Sequence, residues 1–230
     1  MRWVLLLVLA AGGAVGCRGA VDATAAQRFD EANQAFAAAE SREQFLEIAN
    51  RYQAILDQDV VSGAVLYNQG NAWMRAGEAG RAIASYRRAL RFRPRDPQLA
   101  ANLRSALSST AVPAEPTPFL GYLFFWQNWL SYPEKFLVTT TLLSVTLLLG
   151  ILMRFSAVGT ACRRGALLSG LLWALSLLST GWDWHRFERI EHGVVVVEEV
   201  TARKGNSENY EPAFTEAVRE GAEFQVLARR

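Results

Sequence analysis

The sequence predicts a mainly α-helical protein in three parts: a set of helical hairpins, a two-helix hairpin of membrane-spanning length, and a small β-rich C-terminal end. Three observations carry this. Residues 23–109 are rich in Ala, Gln, Glu, Arg and Leu, which favour helix, and are broken only at "DVVSG" (59–63), "AGEAG" (76–80) and "RPRDP" (93–97). Two uncharged apolar runs follow, over 136–153 and 165–182. The chain then turns to β-branched residues at "GVVVVEEV" (193–200). Hydrophobic residues make up 51% of the 230, gathered in blocks rather than spread through one soluble core. A net charge of +2 gives no case for nucleic acid as a partner.

The N-terminal element, residues 1–17, reads as a secretory signal. Arg2 supplies the positive start, Trp3 to Ala11 the apolar stretch, and small residues follow. Ala14-Val15-Gly16 before Cys17 resembles a bacterial lipobox, with Ala14 where Leu is usual. Lipidation of Cys17, ordinary cleavage and a retained anchor all fit this leader.

Within residues 23–109, Leu66, Gly70 and Trp73 recur at helical spacing, and so do Ala82, Ile83, Tyr86, Ala89 and Leu90. The break at 76–80 makes these two helices a hairpin, and Pro94 stops the second. Gly70, Ala82 and Ala89 are small enough for close helix approach, with Trp73 and Tyr86 filling the space beside them. Counted along a ~34-residue period, Gly70, Trp73, Ala82, Tyr86, Ala89 and Pro94 resemble the signature of a tetratricopeptide repeat. Gln69 departs from it, standing where Leu is usual, and is expected to loosen the packing. Ala32, Phe36, Ile48, Tyr52 and Ile55 form a more degenerate copy upstream, and "PQLAANLRSAL" (97–107) reads as a closing helix. Two repeats and a cap are near the minimum for a stable array.

On the first helix of the clearer hairpin, Tyr67, Asn68, Asn71, Met74 and Arg75 fall on one stripe, opposite Leu66, Gly70 and Trp73. An amide, an aromatic ring and a cation suit a peptide backbone and a carboxylate. The same stripe also reads as a solvated helix face. Charge is polarised along this region: residues 70–104 hold eight Arg against Glu78 and Asp96, while 28–59 hold seven acids against three Arg. The basic half reads either as a solvated surface or as one that meets anionic lipid or an acidic partner.

A Pro-rich linker follows over 110–118, extended by Pro113, Pro116 and Pro118. The aromatic segment 119–135 reads as an interfacial helix or the mouth of the first span. Each apolar run is 18 residues long, or about 27 Å as helix, enough for a hydrocarbon core. The loop 154–164 carries Arg154, Arg163 and Arg164 without an acid and is expected in the cytoplasm. Trp126, Trp129, Tyr132, Trp182 and Trp184 are placed as aromatic belts at the opposite surface. The Thr and Ser hydroxyls within the runs are expected to bond to backbone or across the helices. Neither run holds an ionisable side chain, which argues against a transporter or proton relay. Two spans put the segments before and after them on one side, the extracytoplasmic side given a signal sequence.

In residues 193–230 the Val194–Val197 run, "KGNSENYEP" as turn chemistry, and "EFQVLARR" as a further strand resemble the first half of a bacterial SH3-like domain. So short a stretch is a poor core by itself. The order of parts is similar to the BatE family, the tetratricopeptide component of the bacterial aerotolerance gene cluster, with the likeness strongest over 62–103. The resemblance implies a scaffold in the bacterial inner membrane beside MoxR-type ATPases and von Willebrand factor A-type membrane proteins.

No cofactor, metal or catalytic set is expected. Asp183, His185, Glu188 and His192 fit no familiar ligand spacing, and the chain has no Gly-rich phosphate loop or nucleophile elbow. The expectation is a non-enzymatic, membrane-anchored scaffold that binds membrane or envelope proteins. The alternative is an envelope sensor whose C-terminal domain binds a cell-wall or peptide ligand.

Overall fold

The computed structural model describes residues 23–58, 61–110, 125–153 and 159–226. The leader with Cys17, and the linker beyond Thr110, lie outside the described residues. Within them the chain is mainly helical, with two helices long and apolar enough to cross a membrane and a few short strands near the C-terminus.

Five helices form the first part: α1 (residues 23–38), α2 (Arg42–Leu56), α3 (Gly63–Arg75), α4 (Ala79–Leu90) and α5 (Pro97–Ser109). Their ends are written locally. Ser41 and Gln44 form a capping box on α2, Ser62 caps α3, and Asp96 caps α5 ahead of Pro97 in its first turn. Gly77, at φ 79°, closes α3. The Glu78 N–H reaches the Trp73 carbonyl at 2.9 Å and the Gly77 N–H that of Met74 at 3.1 Å, a Schellman end that turns the chain into α4.

The core is the set of apolar positions that the helical period picks out. Ala32, Ile48, Tyr52 and Ile55 from the first hairpin pack in one cluster with Leu66, Trp73, Ala82, Ile83, Tyr86 and Ala89 from the second, closed by Leu99 and Leu103. Phe36 sits at its edge, in T-shaped contact with Phe45 at 5.4 Å. A Cβ on Gly70 would overlap the Tyr86 ring, so the glycine sets how closely α3 and α4 approach. Pro94 is half-buried in the turn after α4.

Gln69 does not loosen this core. It is buried, its Nε2 donates to Gln53 Oε1 at 2.8 Å, and its Oε1 accepts from Ser85 Oγ at 3.0 Å. The amide ties α2, α3 and α4 together where a leucine would only fill space.

The second part begins with α6 (Phe125–Trp129), then α7 (Tyr132–Leu152) and α8 (Gly159–Trp184), the last continuing as a π-helical turn, His185–Arg189. Helix α7 therefore starts inside the segment read as interfacial, and α8 inside the segment read as a loop. Only 11% of the apolar window of each helix is buried, and the exposed faces are largely Leu. The hydroxyls turn inward or onto the backbone. Thr139 Oγ1 meets Ser176 Oγ at 2.7 Å and Thr180 Oγ1 at 3.0 Å, Thr146 donates to Ser169 at 2.9 Å, and Thr140 and Ser144 bond back to carbonyls of their own helix.

The helices extend beyond the apolar runs, and the extensions bring in charge. Each apolar run stops just short of a charged residue that belongs to the same helix: Lys135 in α7 and Asp183 in α8. The two are buried together at the mouth of the hairpin, Lys135 Nζ lying 2.6 Å from Asp183 Oδ2. Lys135 also donates to the Gln127 carbonyl at 2.6 Å, and Gln127 bridges to Asp183 and Ser179. The hairpin thus contains an ionic pair with satisfied partners.

The third part is a ribbon of two short antiparallel ladders. Strand β1 (Glu191–Val194) pairs with β4 (Glu223–Val226), and β2 (Glu199–Val200) with β3 (Val218–Arg219). Only Val194 of the Val194–Val197 run lies in a named strand. Val195 leaves the ladder locally, accepting from the Gly221 N–H at 2.8 Å while donating to the Ala222 carbonyl at 2.9 Å.

Two outcomes test these contacts. Gly70→Ala should destabilise the α3–α4 hairpin by about 1–3 kcal/mol through overpacking against Tyr86, read as faster amide exchange in both helices of the full chain. Asp183→Ala should cost about 3–5 kcal/mol by leaving Lys135 buried and unpaired, whereas Lys135→Met combined with Asp183→Leu should recover most of that loss. The midpoint of thermal unfolding in mild detergent reads both variants.

Candidate functional site

The side of the first part where α1, α3 and α5 come together holds a repeated polar device. Tyr52 Oη donates to Asn33 Oδ1 at 2.7 Å, and Asn68 Nδ2 donates to the same oxygen at 2.8 Å. One hairpin further along, Tyr86 Oη donates to Asn71 Oδ1 at 2.8 Å, and Asn102 Nδ2 donates to it at 2.8 Å. In each case a tyrosine from the second helix of a hairpin and an asparagine from the next helix on this side converge on one amide oxygen. Asn102 also donates to Tyr67 Oη at 3.1 Å, and the Arg93 guanidinium lies 5.1 Å over the Tyr67 ring.

These bonds divide the five residues picked out by the sequence. Tyr67 and Asn68 are braces, holding α5 and α1 against α3. Asn71 is both a brace and part of a cleft, since its oxygen is filled while its N–H groups have no partner among the described residues. Met74 and Arg75 line the same cleft, about 290 Å³ in volume, together with Phe36, Tyr86, Asn102 and Ser105. Arg75 is exposed and lies 5.9 Å over the Phe45 ring without a carboxylate partner among the described residues.

The chemistry of the cleft follows from what the braces leave over. Asn102 Nδ2 spends its hydrogens on Asn71 and Tyr67, which leaves Asn102 Oδ1 as an acceptor beside the unspent N–H donors of Asn71. A donor and an acceptor side by side match the C=O and N–H of an extended peptide. Phe36 and Met74 offer apolar surface, and Arg75 a fork for a carboxylate. Asn102, Phe36 and Ser105 escape the sequence reading because they lie on α5 and α1, brought to α3 only by the stacking of the hairpins.

The other side of the first part is covered by the rest of the chain. Most of the arginines singled out as a basic surface have partners there or nearby. Arg87 Nη2 lies 2.6 Å from Glu223 Oε1 of β4. Arg91 pairs with Glu188 at 3.0 Å and lies between the rings of Tyr132 and Phe187, 4.3 and 4.8 Å from their centroids. Arg95 pairs with Glu134 and stacks on Trp129 at 4.7 Å. Arg93 pairs with Asp96. The start of α4, where Glu78 supplies no side-chain cap, is capped by Glu220, whose Oε1 accepts from the Gly80 N–H at 2.7 Å. A Cβ on Gly80 would overlap the Val195 carbonyl, so the ribbon rests directly on this helix end.

Three of the four residues weighed as metal ligands are otherwise engaged: Asp183 holds Lys135, Glu188 holds Arg91, and His192 faces Gln225 at 3.4 Å; His185 is exposed in the π turn. Among the described residues no three His, Cys, Asp or Glu side chains gather at one point.

Searches of protein-family models, curated proteins and solved structures find no match to the chain.

Burial of the two bracing tyrosines has a consequence in alkali. It pushes the Tyr52 phenol from its ordinary value of 10.0 up to about 12, and the Tyr86 phenol upward as well, with the neighbouring Tyr67 adding to the latter. The unfolded phenols ionise first, so the unfolded state binds fewer protons as pH rises. The contribution is fully present below pH 10 and is lost between about pH 10 and 12. Tyr52→Phe should flatten this decline, measured as the unfolding midpoint against pH in that window.

Proposed function

We propose that this protein is a non-enzymatic, membrane-anchored scaffold, in which α1–α5 are tetratricopeptide-type hairpins with a closing helix and the cleft on α3 takes an extended segment of a protein partner. Helices α7 and α8 cross the bilayer as a hairpin, and the C-terminal ribbon is the partial SH3-like element. The order of parts, and the signature residues from Gly70 to Pro94, support an assignment beside the BatE family. That setting is the bacterial inner membrane, with the hairpins and ribbon extracytoplasmic and a von Willebrand factor A-type membrane protein as the partner of choice.

The observation that carries this reading is the unspent chemistry of the cleft. Asn71 offers donors, Asn102 an acceptor and Arg75 an unpaired cation, above a floor of Phe36 and Met74. The opposite side of the helical stack meets the membrane-length helices and the ribbon instead. A partner arriving at the cleft competes with none of these internal contacts.

Arg75 is the residue to test, because Tyr67 and Asn71 also hold the helices together. Arg75→Glu should leave helix content unchanged and weaken partner capture by about 10-fold or more, as expected for the loss of a charged hydrogen bond. Co-purification from gently solubilised membranes, compared with the wild-type chain by mass spectrometry, checks this. Selective loss of one membrane protein supports the scaffold, and an unchanged set of proteins removes the cleft from the function.

A further inference from the structure

Helix α8 does not stop at Trp184 but widens into the π-helical turn His185–Arg189. In a π turn the backbone hydrogen bonds link residues five apart rather than four. The Arg189 guanidinium lies 5.3 Å over the ring of Trp184, the residue that precedes the turn. Arg186 lies 5.9 Å over the ring of its neighbour Phe187.

The residues of the turn are occupied differently. Phe187 and Glu188 are taken by Arg91. Arg186 and Arg189 are exposed and meet no carboxylate among the described residues. Trp182 and Trp184 beside them are 62% and 48% exposed, which is unusual for such large rings in a chain that buries Trp73. The buried Lys135–Asp183 pair marks where the interior of the hairpin turns polar. Arg186 and Arg189 follow Asp183 by three and six residues, which places them within roughly 9 Å of that level along the axis. For a spanning hairpin this is headgroup depth, where Trp is favoured and phosphate is the abundant anion. A guanidinium fork matches phosphate oxygens two at a time.

We propose that Arg186 and Arg189, held by the π turn beside Trp184 and Phe187, form a binding site for the phosphate of an anionic phospholipid headgroup. The inference rests on the reading of α7 and α8 as membrane spans. An acidic protein is the other anion that two free arginines suit, but it would leave the exposed tryptophans unexplained, whereas a bilayer surface accounts for rings and cations together.

The test uses the full chain in phosphatidylcholine vesicles carrying a photoreactive phosphatidylglycerol, or a photoreactive phosphatidylcholine with the same tails. Cross-linking to residues 182–192 is read by mass spectrometry. The wild-type chain should label at least about fivefold more with phosphatidylglycerol, the factor one near-surface cation contributes. Arg186→Gln with Arg189→Gln should fall to parity, while Arg186→Lys with Arg189→Lys should keep part of the preference, charge without the fork. Equal labelling of the wild-type chain by both lipids would overturn the site, as would a preference that survives the double Gln change. Loss of a co-purifying acidic protein from the double Gln variant, with its lipid labelling unchanged, would assign the arginines to that protein and overturn it equally. A chain that fails to float with either vesicle sinks the span reading as well, whereas one that floats without headgroup preference removes only this site.

Discussion

Arg91 is where the first part of the chain is fastened to the membrane-length hairpin. Its carbonyl accepts from the Tyr132 N–H at 3.0 Å, at the start of α7, and its guanidinium lies between Tyr132 and Phe187 while pairing with Glu188. One residue at the end of α4 therefore holds the first turn of one membrane-length helix and the turn that follows the other. Because Lys135 and Asp183 lock those two helices at the same end, a grip on either is a grip on both. The Arg91 Nε is buried without a partner among the described residues, so the joint rests on stacking, one ion pair and one backbone hydrogen bond. Arg95 with Glu134 and Trp129, and Arg87 with Glu223, extend the seam to either side of it.

That seam explains how the surfaces of the helical stack are divided. Helix α4 turns Ile83, Tyr86 and Ala89 toward the core and Arg87 and Arg91 toward the remainder of the chain. Glu220 completes its N-terminus from 140 residues away, a cap that its own Glu78 does not provide. Among the described residues the side carrying Asn71, Met74 and Arg75 meets nothing comparable and keeps an open cleft. Tyr86 links the two, since it packs in the core and its hydroxyl fixes Asn71 in the cleft wall. A wall held in this way is set before any partner arrives, which lowers the ordering cost of binding.

The sequence made the local parts of this arrangement legible and the long-range parts not. Gly70, Tyr86 and the apolar period of α3 and α4 declare the hairpin, because helical contacts lie a few residues apart and repeat. The apolar runs declare two long helices for the same reason. Lys135 and Asp183 escape because an apolar window ends where charge begins, and nothing local says that one helix continues or that the two charges meet. Arg87 and Arg91 read as part of a basic surface, solvated or open to an anionic partner, because their acids lie far along the chain at Glu223 and Glu188, a pairing that no spacing rule reaches. Gln69 reads as a loss for a related reason: a polar residue at a core position is stabilising only once Gln53 and Ser85 face it. In the cleft, Asn71, Met74 and Arg75 share one helix and are legible there, while Asn102 and Phe36 reach it only through the neighbouring helices.

The membrane-length hairpin is held together by the same kind of polar contact. Its inward polar side chains answer one another, from Lys135 and Asp183 at the mouth, through Thr139, Ser176 and Thr180, to Thr146 and Ser169 further down. Gln127 of α6 completes the set at the mouth, bonding to Lys135, Asp183 and Ser179. The Arg91 seam fixes the helical stack to this unit. The contacts at Arg87, Arg91 and Arg95 hold the cleft in place, since it can turn only if the whole seam opens. The cleft is thereby set at a fixed angle to the hairpin, because the seam that orients it lies on the opposite side of the same helical stack.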